Sequence, residues 1–390
     1  MKKKYQKTII VTCLILLLLP VNSNPCTGIR LISTDGGVVY GRTMEWGCFD
    51  LGSRIALIPN RHTFIGTTPD SSVNGKIFSA KYNIIGIDAL GENYLLEGMN
   101  SEGLAVGMFY QHGYAEYPKY KPDFASKTIS SLDVVNYILA SCKSVDEVKT
   151  AMNTVIVVEV DYNKTNNKPF IAQGHWMVTD ATGKSIILEY EDSILKTYNA
   201  SLGVITNNPY YNWHLTNLKN YINLSNKDID SIKYKGSEKY IKPIGAGSGM
   251  LGLPGDNTPP SRFVRAVAWT QTARQLDSCY EAVCETFRIL DNFQLPLEGA
   301  EGSSEKCNDA TLRSTTQWTV AWDLKNRTLN YHTQHNRQIR YLKMDPDLFS
   351  KDPSCIKHYC LDLNKVQTRE NVIYRKGNKK CVDSECKQPE

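Results

Sequence analysis

Read as hydrophobic and polar positions, the chain is a succession of short apolar runs broken by glycine, asparagine and aspartate. Gly28–Ile32 is apolar and β-branched, Thr34-Asp35-Gly36-Gly37 has the composition of a hairpin turn, and Val38–Arg42 returns antiparallel to the first run. Arg54–Pro59, Tyr82–Ala89, Tyr94–Gly98 and Leu104–Tyr110 continue the strand pattern, with turns predicted at Gly91-Glu92-Asn93 and Asn100-Ser101-Glu102-Gly103. The period then lengthens. Leu132–Ala140 reads as a helix capped by Ser130 or Ser131, and Val145–Met152 as a second, with Ser144 and Glu147 at the two capping-box positions. Strands resume at Gly174–Thr179, Ser185–Glu191 and Leu195–Tyr198. Helices are predicted at Tyr211–Leu224, Ser261–Thr270 and Tyr280–Leu290, and late strands at Gln317–Asp323 and Thr328–Thr333. Two blocks of strands with helices between them predict two sheets packed face to face and covered by helices, an α+β architecture.

The two ends differ from this body. Lys2–Lys7 is basic, and Ile9–Pro20 is an apolar run of about 12 residues, too short to span a bilayer comfortably. Val21 and Ser23 suit a signal-peptidase site, which leaves Asn24-Pro25 as a short pro-segment to be removed by a second step, self-cleavage among them. Residues 1–25 are therefore expected to be lost, and the mature protein to be secreted or periplasmic (lumenal or extracellular in a eukaryote) with no stable membrane anchor. Beyond Asp345 the texture changes to lysine, aspartate, asparagine and cysteine. Cys355-x4-Cys360 and Cys381-x4-Cys386 read as a disulfide-tied tail over 346–390, because exported proteins oxidise their cysteines. A zinc site with His358 is the alternative there, at a spacing that is not a usual finger. The main domain is placed at 26–345.

Composition removes one class of function. The net charge is +5, but Lys2, Lys3, Lys4 and Lys7 lie in the leader and Arg375, Lys376, Lys379 and Lys380 in the tail. No basic run in the body is interleaved with aromatics, so no nucleic-acid partner is expected. Hydrophobic and charged contents of 41% and 22% describe a globular protein with a substantial core.

The candidate chemistry starts at Cys26. Exposed at a chain end, this residue carries a thiol and a free α-amine, a nucleophile and a proton carrier joined covalently. Arg42, sixteen residues on, supplies a fixed positive charge that favours the thiolate. Glu45 is placed to hold the amine or orient Arg42. In Thr206-Asn207-Asn208-Pro209 an asparagine amide sits at the tip of a strand, where it can donate to an oxyanion. Gly252-Leu253-Pro254-Gly255-Asp256 runs into Ser261-Arg262-Phe263, which puts Arg262 in the first turn of a helix.

In this order and spacing the motifs resemble the choloylglycine hydrolase family, which contains bile salt hydrolases and penicillin V acylases. The resemblance spans Cys26 to about Tyr341. It rests on Cys-Thr-Gly-Ile at Cys26, Gly-Arg-Thr-Met-Glu-Trp at Gly41, Gly-Met-Asn-Ser-Glu-Gly-Leu at Gly98, Thr-Asn-Asn-Pro at Thr206, Gly-Leu-Pro-Gly-Asp with Ser-Arg-Phe, and Thr-Gln-Trp-Thr at Thr316. It implies a four-layer αββα sandwich of the N-terminal-nucleophile hydrolases, with two mainly antiparallel sheets, usually as a homotetramer without cofactor or metal. By resemblance Cys26 is the nucleophile and Arg42 its positive neighbour. Glu45 stands where many members have aspartate, Asn207 matches the oxyanion asparagine, the backbone amide of Tyr110 completes that hole, and Arg262 supports the transition state. Met44, Phe109, Tyr110, Tyr114 and Leu251 are the candidate substrate-binding residues. The implied reaction is hydrolysis of a linear amide through an acyl-thioester at Cys26, with glycine- or taurine-conjugated bile salts as the first reading. Penicillin V or acyl-homoserine lactones are the alternative substrates, and a catalytically silent secreted binding module is the alternative class.

Overall fold

A computed structural model describes residues 25–70, 72–162, 171–297, 299 and 312–367. The leader and Cys381 and Cys386 lie outside the described residues. Two antiparallel sheets dominate. The first runs in the order Val204–Ile205, Thr27–Ile32, Val38–Glu45, Thr316–Asp323, Thr328–Thr333, Arg340–Lys343. The second runs Ile194–Asn199, Ser185–Glu191, Gly174–Thr179, Ala105–Tyr110, Tyr94–Asn100, Ile84–Ala89, Arg54–Ile58, Lys357–Cys360.

Both sheets are covered on both faces, and this is why their strands read as nearly unbroken apolar runs. In the second sheet Ile85, Ile87, Phe109, Met177 and Ile187 turn inward to the first sheet. Their neighbours Ile84, Met108, Trp176, Val178 and Ile186 turn outward and pack with helix α1, Asp133–Ser141. The first sheet is covered by α4 (Pro259–Thr272) and α5 (Cys279–Leu290), the order helix, sheet, sheet, helix of an αββα sandwich. Helix α2 (Val145–Met152) starts where the capping pattern places it: Glu147 N–H donates to Ser144 Oγ at 3.2 Å, and Glu147 Oε2 takes the Lys143 N–H at 2.9 Å. Helix α3 is shorter than the sequence pattern, Tyr211–Leu218 followed by a single 3-10 turn over Lys219–Tyr221.

Two departures from the sequence expectation concern the tail. Lys357–Cys360 pairs antiparallel with Arg54–Ile58 and closes one edge of the second sheet, so this part of the tail is built into the sandwich. Leu361 O also accepts hydrogen bonds from Tyr331 Oη and Arg340 Nη1. Cys355 and Cys360 are both free thiols, so neither takes part in the disulfides expected to tie the tail. Cys355 closes a turn on Asp352, Cys360 ends the extended Lys357–Cys360 strand, and the two sulfurs are not bonded.

One glycine is required by layer packing. A Cβ on Gly41 would lie 2.3 Å from Thr286 Cγ2 on α5 and 2.9 Å from the Val320 carbonyl oxygen. Gly41→Ala is therefore expected to destabilise the fold by about 1–3 kcal/mol, measurable as a lowered urea midpoint at unchanged slope.

Candidate active site

The two strands that meet in the N-terminal hairpin pair Thr27 with Thr43 and Gly28 with Arg42. Side chains alternate across a strand, so Cys26, Gly28, Arg42 and Met44 share the face turned to the second sheet, and Thr27, Thr43 and Glu45 share the other. Arg42 Nη2 donates to Cys26 Sγ at 3.3 Å. Its guanidinium is fully buried and lies over the Phe109 ring at 4.5 Å and the Trp318 ring at 5.5 Å. Gly28 makes room for this: a Cβ there would be 2.5 Å from Phe109 Cζ. Arg42 Nη1 donates to Met108 O at 2.6 Å and to Leu96 O at 3.4 Å, and Nε faces Glu97 Oε1 at 4.0 Å.

The main chain of Cys26 is held from the opposite side. Its N–H donates to Asn207 Oδ1 at 2.7 Å, and its carbonyl accepts from Arg262 Nη1 at 2.5 Å. Arg262 also donates to Thr27 Oγ1 (2.9 Å), Asn207 Oδ1 (2.6 Å) and Asn257 O (2.9 Å). Two donors on Oδ1 fix the orientation of the Asn207 amide. Its Nδ2 donates to Tyr110 O at 2.7 Å and retains a second N–H. The ladder between Ala105–Tyr110 and Gly174–Thr179 continues into a bond from Gln111 N to Gln173 O, so Tyr110, one position earlier, turns its backbone away from that neighbour. Its N–H therefore lies on the same edge as the carbonyl that meets Asn207.

The family model for linear amide C–N hydrolases, choloylglycine hydrolase family, matches residues 26–358. The chain belongs to this family. A bile salt hydrolase/transferase from Clostridium perfringens is 29% identical over 337 residues, 86% of this chain and 96% of that one. The crystal structure of a mutant conjugated bile acid hydrolase from Clostridium perfringens superposes with a TM-score of 0.72 at 28% identity, covering 89% of this chain and all of the other. A penicillin V acylase from Agrobacterium tumefaciens has the same fold, with a TM-score of 0.66 at 22% identity over 88% of this chain and 94% of that one.

In this member of the family the cavity beside Cys26 arises from a fork in the second sheet. Tyr94–Asn100 and Ala105–Tyr110 are paired only from Glu97–Gly107 to Met99–Ala105. Beyond that point the strands part, and Tyr94 and Leu96 face Met108 and Tyr110 across the gap. Arg42 closes the root of the fork by bonding a carbonyl on each arm. Met44 and Tyr110 line the cavity with Cys26 and Arg42, and Trp46 packs edge-on against Tyr110 at 6.0 Å. Phe109, Tyr114 and Leu251 do not line it. Phe109 is one residue out of phase with Tyr110 and is buried between the sheets. Tyr114 lies beyond the strand end and packs on Tyr210, and Leu251 is exposed on the loop before α4. The lining residues Leu96, Met108, Leu132 and Ala172 escaped the sequence reading, although strand periodicity puts Met108 on the face of Tyr110.

Glu45 is buried on the face opposite the thiol. Thr316 Oγ1 donates to its Oε1 at 3.1 Å, and it couples by charge to Arg262 and Arg42. It makes no hydrogen bond of its own to Arg42 among the described residues, and only its ionised form couples to the two arginines by charge. Burial pushes the Glu45 carboxyl up to about 8 and Glu97 up to about 7. The Cys26 thiol is also raised. Burial dominates, the Arg42 charge pulls it down, the Glu45 charge pushes it up, and the Glu45 backbone N–H and Arg262 favour the thiolate. Arg42 thus lowers the thiol as the sequence suggests, but burial in the chain with Pro25 still attached outweighs it. The pH consequence is definite in sign. In the folded state Glu45 binds its proton up to about pH 8, whereas an unfolded chain releases it near the ordinary glutamate value. The stabilisation from this group is complete below that ordinary value and lost as pH rises through 8. Glu45→Gln is expected to flatten the fall in unfolding free energy between pH 5 and 8, by on the order of a few kcal/mol, in urea titrations at both pH values.

Proposed function

We propose that this chain, once residues 1–25 are removed, is an exported hydrolase of conjugated bile salts. The observation that carries the reading is one thiol held at both ends, with Sγ 3.3 Å from Arg42 Nη2 and its residue's own nitrogen 2.7 Å from Asn207 Oδ1. Freed from Pro25, that nitrogen is an amine whose ordinary range lies near neutral pH. It takes the thiol proton while the sulfur attacks the substrate carbonyl. The developing oxyanion is met by the second N–H of Asn207 and the backbone N–H of Tyr110. Collapse breaks the C–N bond, and the ammonium protonates the leaving amine, so the acyl group remains as a thioester on Cys26. Water, deprotonated by the amine, then attacks the thioester, and the carboxylic acid leaves with the thiol restored. Arg262 holds the Cys26 carbonyl throughout, so the nucleophile does not swing on its own backbone.

The apolar cavity supports a bulky hydrocarbon acyl group, and the family's bile salt relatives support a steroid one. A second reading, an aryl acyl amide such as penicillin V, is favoured by the rings of Trp46, Tyr94 and Tyr110 around the thiol. The proposal extends to assembly as a homotetramer. Residues Ile222, Ile232, Tyr234, Tyr240, Ile241 and Ile244 are exposed on one excursion that includes the paired strands Ile232–Lys233 and Tyr240–Ile241, and this apolar surface supports an interface between copies of the chain.

Intact mass of the active protein should place Cys26 first, and Cys26→Ser should lower turnover at least about 10³-fold while leaving the fold intact. Hydrolysis of glycocholate and taurocholate in preference to penicillin V supports the bile salt reading. The reverse preference supports the aryl reading, and no activity on any of them supports a silent binding module. An active species that begins at Asn24 contradicts the mechanism.

A further inference from the structure

Asn207 meets Cys26, Arg262 and Tyr110, yet it lies on a short irregular segment after a two-residue strand. What fixes it is a buried histidine–glutamate pair. His175, on Gly174–Thr179, is buried between the sheets. Its Nδ1 lies 2.7 Å from Glu189 Oε1, and its Nε2 lies 2.9 Å from the carbonyl oxygen of Thr206. Thr206 is the residue before Asn207. A carbonyl oxygen can only accept, so Nε2 carries a proton. The Glu189 carboxyl already receives the Tyr211 N–H on both oxygens (3.1 and 3.0 Å) and a Gln111 amide N–H at 3.2 Å. Donors converging in this way stabilise the ionised carboxylate, which leaves Nδ1 to supply the proton of the 2.7 Å bond.

We propose that His175 carries a proton on each ring nitrogen and, locked to Glu189, is a positioning residue that fixes Asn207 beside Cys26. The clamp has two arms. Glu189 grips the segment downstream of Asn207 through the Tyr211 N–H, and His175 grips it upstream through the Thr206 carbonyl. A second histidine completes the hold. His214 Nε2 lies 3.1 Å from the carbonyl oxygen of Asn207 itself. His214 is pushed down to about 4, by burial first and then by the charges of His175 and Arg262, so it bonds as a neutral ring. The groups that face His175 are thus Glu189 from its own sheet, with His214 and Arg262 beyond the Asn207 segment. His175 does not touch the cavity, and its effect on chemistry runs through Asn207.

The inference rests on the role proposed for Asn207, and the test separates the two. In processed enzyme with ¹⁵N-labelled histidine, one-bond N–H correlations count the protons on the His175 ring. Two are expected in the wild type. In Glu189→Gln one is expected, on Nε2, because the new amide N–H can donate to Nδ1 of a neutral ring. Gln111 Oε1, which lacks a hydrogen-bond partner, can turn to accept the remaining amide proton. That variant keeps the tether to Thr206, so its kcat should stay within about threefold of wild type. His175→Phe removes the tether, and kcat should fall about 10- to 100-fold with KM within about threefold, the signature of a misplaced catalytic group. A single ring proton in the wild type overturns the inference, as does an unchanged kcat in His175→Phe or an equal loss in Glu189→Gln. If His175→Phe does not fold, the proton count and the Glu189→Gln kinetics decide. A wild type inactive on every amide overturns the reading of Asn207 and the positioning role with it, while the proton count still reports the charge on the ring.

Discussion

The structure is organised around a guanidinium that is fully buried. Arg42 is buried between two sheets, and its charge must be answered by the protein, although Nε makes no hydrogen bond among the described residues. The answers come from the Cys26 sulfur, the Met108 and Leu96 carbonyls, the Glu97 carboxyl and the faces of Phe109 and Trp318. These groups come from both sheets, so the cation staples the layers together at the point where the thiol sits. Trp322 Nε1 donates to Glu97 Oε2 at 2.9 Å, which keeps that carboxyl in place behind the arginine. In a medium of low effective dielectric a charge 3.3 Å from sulfur acts strongly on the thiol equilibrium, and the same medium penalises the bare thiolate. The balance between these two effects is the central physical fact of the site.

The cavity follows from that arrangement. Two neighbouring strands stop pairing after Glu97–Gly107, and their unpaired carbonyls would be costly inside a core. Arg42 satisfies one on each arm, which allows the fork to stay open and lined by apolar side chains. On the opposite face Arg262 performs a similar task for the Cys26 carbonyl and Asn207. The nucleophile is therefore gripped through its sulfur by one arginine and through its backbone by the other. The two cations act from opposite sides of a single strand.

Much of this was legible in the sequence because it depends on local pattern. The hairpin from Gly28 to Arg42 needed only the turn at Thr34–Gly37 and two β-branched runs, and it alone brings Arg42 back beside Cys26. The helix start at Ser144 was likewise written in its cap, whereas the helix read from Ser261 begins two residues earlier, at Pro259. What could not be read was the phase of residues near strand ends. Phe109 and Tyr110 are equally aromatic, and a one-residue difference sends one into the core and the other to the cavity. Glu97, Glu189 and His175 were also illegible, since their partners lie on other strands and only the assembled sheets bring them together. The tail misled through its cysteines: their spacing suggests disulfides, but Cys355 and Cys360 are free, and Cys360 ends a strand built into the second sheet.

The most direct test of the account is the pH dependence of Cys26 alkylation by iodoacetamide in processed wild type and in Arg42→Met, followed by mass spectrometry of the N-terminal peptide. A buried cation that favours the thiolate predicts a reactivity midpoint at distinctly higher pH in the variant than in the wild type. Equal midpoints in two folded proteins would mean that Arg42 does not govern the thiol, and the account of the site would fail.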